Sequence, residues 1–250
     1  MSTSPQKLKK DSIAEAICEV RFECQESASI PEILVGKLTD FEDWKSFQKI
    51  RLSVMDIPAP IRALNPDLRR QPVMELREEG GPKIVKIGAN VLSLHRKAPY
   101  AGWERFRPEI YRFVEFLFGS FQDFRCTRLG IRYINIFTRE DHGVESVKDL
   151  NYQVTLDGKE LTSPQNINYQ ILKHDNHNIL VRVASPEFVS GTQKDICSAL
   201  VDLDVFTPDD WRGGDRDDAE KWIEDAHTYE KYEFFKLFTP KMKSLLVEEQ

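Results

Sequence analysis

The middle of the chain concentrates arginine side chains beside aromatic ones. Residues 49–139 carry 17 Lys or Arg and 9 Asp or Glu, a local charge of +8 in a chain whose total is −6. Arginine next to aromatic rings is the combination with which proteins contact phosphates and stack on bases. Arg105, Arg107 and Arg112 lie on one predicted helix in this region. They are therefore the candidate residues of a nucleic-acid surface.

The same arginines have a second interpretation. Glu104, Glu109 and Glu115 lie on the same predicted helix, and residues 199–250 carry 14 acidic against 7 basic side chains. A basic stretch between acidic ends is also what a zone of ion pairs within one molecule requires. The sequence favours this second interpretation and leaves the first open.

Three other polar side chains stand on otherwise apolar faces. Arg132 and Asn135 lie on a predicted strand, and His227 lies on the last predicted helix. An enzyme hypothesis predicts that these three side chains converge on one concave pocket. The alternative is structural, because a buried amide must be hydrogen-bonded and a histidine at the edge of a core needs only a partner on a neighbouring strand. No residue is assigned a catalytic role.

Metal and cofactor sites are not predicted. Asp202 and Asp204 share one face of a strand and could hold a divalent cation together, but no further ligand accompanies them. His174 and His177 supply at most half of a zinc site. The sequence has no GxGxxG, Walker, HExxH or GxSxG motif, so the enzyme classes that carry these motifs are not indicated.

The composition predicts a cytoplasmic protein that does not insert into a membrane. No apolar stretch approaches the roughly 20 residues of a membrane helix, and the basic, polar beginning lacks the apolar segment of a signal peptide. Four cysteines, Cys18, Cys24, Cys126 and Cys197, show no metal-type pairing. A reducing compartment suits such isolated thiols.

Periodicity predicts an α+β fold, with antiparallel sheets packed against long helices. Alternation of small apolar and charged residues predicts a strand over Ile13–Cys24, with Arg21 pairing its neighbours Glu19 and Glu23. A second long strand is predicted over Phe124–Thr138. An aromatic stripe at helical spacing predicts a helix over Trp103–Phe121. Other expected elements are a helix over Pro31–Trp44, a strand over Phe47–Ile57 and a helix over Asp217–Phe238. A loop is expected over 58–72, and it carries Arg62, Arg69 and Arg70.

The order of the elements predicts two pseudo-repeated halves. Residues 1–123 form one α+β half and residues 124–250 the other, each with strands followed by an aromatic helix. Pairing of sheet edges in a homodimer is compatible with this arrangement, although no residue specifies it.

Three segments carry a resemblance to a known family. They are Ala14–Phe22 (AEAICEVRF), Arg128–Asn135 (RLGIRYIN) and the late run from Trp222 through Ala226-His227 to Phe235. The chain resembles a sporadically distributed family of uncharacterised prokaryotic proteins of about this length. The resemblance implies no activity, cofactor or site residue. The family's patchy distribution is similar to that of mobile defence or toxin–antitoxin genes.

We therefore expect a non-enzymatic binding component, such as an antitoxin-like, accessory or sensor subunit of a prokaryotic defence-type module, with a protein partner. The first alternative is a nucleic-acid-binding component that uses residues 96–139. The second is an enzyme with an unrecognised pocket near His227.

Overall fold

The computed structural model describes residues 6–24, 30–160, 167–189, 194–211 and 214–248. The strands are β1 Ile13–Glu23, β2 Gln48–Arg51, β3 Met74–Arg77, β4 Lys83–Ile87, β5 Val91–Lys97, β6 Arg125–Thr138, β7 Thr155–Leu156, β8 Lys159–Glu160, β9 Ile167–His174, β10 His177–Ala184 and β11 Cys197–Phe206. The helices are α1 Ile30–Thr39, α2 Ala59–Leu64, α3 Pro66–Arg69, α4 Trp103–Phe118, α5 Arg139–His142, α6 Arg216–Lys236 and α7 Pro240–Leu246.

Nine of these strands form one antiparallel sheet in the order β2-β3-β4-β5-β1-β6-β11-β10-β9, and β7 and β8 form a separate small ladder. The predicted α+β class with antiparallel pairing is therefore confirmed. In the described part of the chain, no helix combines the length and the apolar run that a membrane crossing needs.

The segment between β2 and β3 differs from its prediction. The strand expected over Phe47–Ile57 ends at Arg51, and a 3₁₀ turn follows at Ser53–Asp56. The expected loop over 58–72 contains the short helices α2 and α3. Asn65 begins α3, because its side-chain oxygen accepts hydrogen bonds from the first two backbone N–H groups of that helix and Pro66 suits its first position.

Internal contacts divide the chain into two compact units. The β1–β5 unit comprises Glu15–Ile131 and Phe206–Asp225. The β9–β11 unit comprises the described residues of Met1–Ala14, Arg132–Val205 and Ala226–Gln250. The two pseudo-repeated halves with a boundary at residue 123 stay a prediction.

The β1–β5 unit has one face of its strands against α4 and one polar face. Cys18 of β1 pairs with Leu94 of β5, and both side chains are buried. Arg96, on the same face of β5 as Leu94, binds Glu109 of α4 through its Nε at 2.8 Å. Because side chains alternate along a strand, the residues between them point the other way. This second face, which we call the polar face, carries Glu15, Glu19 and Arg21 on β1, Ser93 and His95 on β5, and Lys86 on β4.

The β9–β11 unit has an aromatic core beneath the second part of α6. Phe137 of β6 is fully buried and stacks on Phe234 at 6.1 Å between ring centroids. Phe238 meets the same ring edge-on at 5.9 Å. On the opposite face of β6, Ile136 and Leu200 belong to a second apolar cluster. Both faces of β6 are therefore packed in this unit.

Candidate functional site

The β1–β5 unit contains a cleft of about 240 Å³ whose wall is rich in arginine. Its lining residues are Arg21, Phe22, Glu23, Arg69, Arg70, Asn90, Thr127, Arg128, Phe206, Thr207 and Asp209. Arg21 comes from β1, Arg128 from β6, and Arg69 and Arg70 from the end of α3. Elements that are far apart in sequence thus bring four guanidinium groups to one concave surface.

One carboxylate fixes two of the four guanidinium groups. Glu19 Oε1 accepts a hydrogen bond from Arg21 Nε and another from Arg128 Nη1, each at 2.8 Å. The Arg128 guanidinium also lies over the Phe206 ring, 4.7 Å from its centroid. Burial lowers the pKa of Arg21, and the Glu19 charge opposes that effect. These contacts orient both side chains. They also confirm the predicted Arg21–Glu19 pair.

Arg69 and Arg70 retain their hydrogen-bond donors. Both residues are exposed, and neither makes an ion pair or a hydrogen bond through its side chain to any part of the chain that the structure describes. Their backbone is nevertheless held, because Asn65 accepts hydrogen bonds from Asp67 and Leu68. Each guanidinium therefore presents its planar fork of donors from a backbone position that α3 fixes.

The acidic side chains at the cleft do not cancel this positive charge. Glu23 is already paired with Arg125, which lies outside the lining. Asp209 is the other carboxylate of the wall. Four permanently charged guanidinium groups thus outnumber the carboxylates near them, so the cleft is suited to an anion. A phosphate or carboxylate oxygen pair matches the spacing of the arginine fork.

The predicted nucleic-acid residues on α4 are only partly available. Arg107 lies 3.1 Å from a Glu104 oxygen and 3.5 Å from a Glu224 oxygen, and Arg112 lies 2.9 Å from Asp43. Arg105 is exposed.

Further along the basic stretch, other arginines are paired with acids as well. These pairs are Arg96 with Glu109, Arg125 with Glu23, Arg128 with Glu19 and Arg139 with Glu145. Ion pairs within the molecule thus use much of the basic charge, as the second interpretation expects. A nucleic-acid surface on α4 stays a prediction.

The three residues of the enzyme hypothesis do not converge. Arg132 binds Asp202 with two hydrogen bonds of 2.7 and 2.6 Å. Asn135 is buried, and its side-chain oxygen accepts a hydrogen bond of 2.9 Å from Ser12. His227 Nδ1 lies 3.4 Å from the Tyr133 hydroxyl. Since residues 132 and 135 point to opposite faces of β6, the expectation of one shared pocket is wrong.

Asp202 is therefore an arginine partner. Arg182 approaches the same carboxylate at 3.6 Å, and the Asp202 side chain is 5% exposed. Within the described ranges, no group of three or more His, Cys, Asp or Glu side chains has an arrangement that could hold a metal ion.

No protein-family model matches the chain, and a search among curated proteins finds no match. The resemblance to a prokaryotic family therefore stays a prediction.

The sequence pattern predicts a loop at Arg69 and Arg70 and indicates no role for them. One local signal was available, since Asn65-Pro66 is the residue pair that typically begins a helix. That signal predicts α3 and a fixed position for the two arginines. It does not predict that Arg21 and Arg128 lie opposite them, because this depends on how distant strands pair.

Proposed function

We propose that the protein is a binding component whose arginine-lined cleft takes the phosphate group of an anionic ligand. The observation that supports this proposal is the pair of exposed guanidinium groups, Arg69 and Arg70, beside the oriented Arg21 and Arg128. Arginine binds phosphate through two parallel N–H···O bonds, which gives both charge and geometric fit.

The size of the cleft suggests how much of a ligand enters it. Its volume is about 240 Å³, below the roughly 300–1,000 Å³ of pockets that enclose a whole drug-sized molecule. We therefore propose that the phosphate end is held inside while the rest of the ligand lies along the surface. Phosphate esters and nucleotides have this shape.

The wider role proposed from the sequence is a subunit of a prokaryotic defence-type module. It includes a protein partner, a cytoplasmic location and, as a compatible arrangement, a homodimer. Among the antitoxin-like, accessory and sensor roles, a ligand cleft favours the sensor. The pseudo-duplication of two halves and their long helices belong to the same set of proposals, and the family resemblance is their support.

Nucleic acid is the second candidate ligand, and one observation favours it. Arg105 is exposed on α4, and in the described part of the chain its guanidinium makes no ion pair. A surface on α4 would bind the phosphate backbone of DNA or RNA, with an affinity that falls steeply as salt rises.

Calorimetric titration with pyrophosphate, ATP and a short oligonucleotide at low salt tests the proposal. The Arg69→Ala/Arg70→Ala double variant removes the two unpaired guanidinium groups, and Arg105→Ala/Arg112→Ala is the matched control on α4. A charge-assisted hydrogen bond contributes about 1.5–3 kcal/mol, so we expect the first variant to lose about 100-fold in affinity and the control to bind like wild type. Loss in the control alone would assign the phosphate site to α4. Absence of binding to every probe would contradict the proposal.

A further inference from the structure

A serine on the polar face stands between two oppositely charged side chains. In the strand register, Ser93 of β5 pairs with Glu19 of β1 on one side and with Lys86 of β4 on the other. Directly paired residues of antiparallel strands share a face, with Cβ atoms about 4.5–5.5 Å apart. His95 follows two residues later on the same face. Three neighbouring strands therefore place a hydroxyl, an imidazole, an ammonium group and a carboxylate on one face.

Hydrogen bonds connect three of these groups in one line. Ser93 Oγ lies 2.8 Å from His95 Nε2, and His95 Nδ1 lies 2.8 Å from Glu15 Oε1. An ionised carboxylate can only accept, so Nδ1 carries the proton that is donated to Glu15. In the neutral imidazole Nε2 is then the acceptor, and the Ser93 hydroxyl donates to it. This is the arrangement in which a histidine can take a proton from a serine.

The surroundings keep the imidazole neutral and the carboxyl ionised near pH 7. Burial lowers the pKa of His95, although the bond to Glu15 opposes this. Burial alone would raise the pKa of Glu15, but the hydrogen bond and charge of His95 hold it below its ordinary value. Lys86 and Glu19 are the other charged groups that act on the His95 ring.

Lys86 supplies positive charge from the β4 position paired with Ser93. It is half-buried, and its ammonium group makes no hydrogen bond or ion pair to the described residues. An unpaired donor beside a nucleophile is suited to stabilise the negative oxygen that forms when the nucleophile attacks a carbonyl group.

We infer that Ser93, His95 and Glu15 form a nucleophilic triad that hydrolyses a carboxylic ester. Ser93 Oγ attacks the carbonyl carbon as its proton moves to His95 Nε2, and Lys86 stabilises the resulting oxyanion. The carbon–oxygen bond to the alcohol then breaks, and the alcohol leaves with the proton from His95. His95 next takes a proton from water, whose oxygen attacks the acyl carbon. The acid is released and Ser93 regains its proton.

The preferred substrate is an ester that carries an anionic group. Arg21 and Arg128 share Glu19, the residue paired with Ser93, so the cleft begins one strand away from the hydroxyl. This preference rests on the proposed function, whereas the triad itself does not.

Covalent labelling with a neutral alkyl fluorophosphonate, followed by peptide mass spectrometry, tests the triad. We expect a phosphonyl adduct on Ser93, formed as fluoride leaves, at a rate that rises with pH as His95 becomes neutral. Ser12 is the internal control, because it is 4% exposed against 6% for Ser93 but its hydroxyl is paired with an amide. An unlabelled Ser93, or equal labelling of Ser12, would overturn the inference.

Variants separate a nucleophilic site from a structural network. Ser93→Ala should abolish the adduct, and His95→Gln and Glu15→Gln should slow it at least tenfold. The pH dependence of wild type needs no variant, so the test survives if a variant fails to fold. Arg69→Ala/Arg70→Ala should lose the preference for p-nitrophenyl hemisuccinate over p-nitrophenyl acetate. If wild type shows no such preference, only the proposed function is contradicted.

Discussion

The polar face of the β1–β5 unit and strand β6 of the β9–β11 unit differ in whether particular polar side chains have partners within the protein. Beneath α6, Asn135 is matched by Ser12, and on the other face of β6 Arg132 is matched by Asp202. On the polar face, Lys86 has no hydrogen-bond or ion-pair partner among the described residues. Arg69 and Arg70, at the cleft, also lack such partners.

This difference distinguishes polar side chains that stabilise the fold from polar side chains that are available to a ligand. A buried polar pair such as Asn135 with Ser12 is satisfied within the protein and contributes to stability. An unpaired charge at a concave surface keeps its donors for an external partner. The two regions should therefore respond differently to substitution, with stability changing in one and binding in the other.

The largest expected effect is the pH dependence caused by Glu230. Burial raises the pKa of this α6 carboxyl to about 8. Because the pKa in the folded protein is raised above its ordinary value of 4.5, the contribution of Glu230 to the free energy of unfolding is fully present below pH 4.5. That contribution is lost as pH rises through 8. We expect wild type to lose about 3–5 kcal/mol relative to Glu230→Gln between pH 5 and pH 9. Urea denaturation of both proteins at each pH measures this, and parallel pH curves would contradict it.

Asp202→Asn should have the next largest effect. The change removes the charge that balances Arg132 and Arg182. Breaking a buried ion pair costs about 3–5 kcal/mol, and exposure of the Arg132 side chain reduces this to about 2–3 kcal/mol. Chemical denaturation provides the measurement. The Arg132→Met/Asp202→Leu double variant is the control and should recover most of the loss, whereas anion binding stays unchanged in both.

Asn135→Ala tests whether Asn135, a binding candidate from the sequence, has a structural role instead. It leaves the buried Ser12 hydroxyl without its acceptor, and an unsatisfied buried group costs about 1–3 kcal/mol. We expect the free energy of unfolding to fall by this amount and the affinity for pyrophosphate to stay the same. Ser12→Ala/Asn135→Leu, which removes both polar partners, should be more stable than the single variant. A selective loss of binding would give Asn135 a ligand role.

Glu19→Gln should have the smallest effect, and it should increase the affinity for an anion instead of weakening the protein. The amide oxygen can still accept from Arg21 or Arg128, but the negative charge is gone. Affinity for pyrophosphate should rise two- to fivefold at low salt and approach the wild-type value at high salt, because partly exposed charges are screened. An unchanged affinity at low salt would show that the Glu19 charge has no effect on the bound anion.

Much of the fold follows from local pattern. The bounds of β1 and β6 each differ from their predicted bounds by a single residue. In β1 the alternation is regular because one side of the strand faces a core. The prediction for residues 47–72 was wrong. The apolar run after Arg51 is too short to distinguish a strand from a turn, and the prolines that follow begin helices.

The candidate site was much less predictable. Ser93 and His95 are two residues apart on one strand, but Glu15 lies 80 positions from His95. Their contact depends on the β1–β5 register, which no local pattern specifies. The cleft has the same origin, because Arg69 and Arg70 meet Arg21 and Arg128 only after three separate segments have packed.

The most direct test of the arginine-lined cleft as the anion site is an NMR titration of the arginine Nε–Hε signals with pyrophosphate. We expect the signals of Arg21, Arg69, Arg70 and Arg128 to shift in a saturable way while those of Arg105 and Arg112 stay in place. Shifts confined to Arg105 and Arg112, or none at any arginine, would contradict the account.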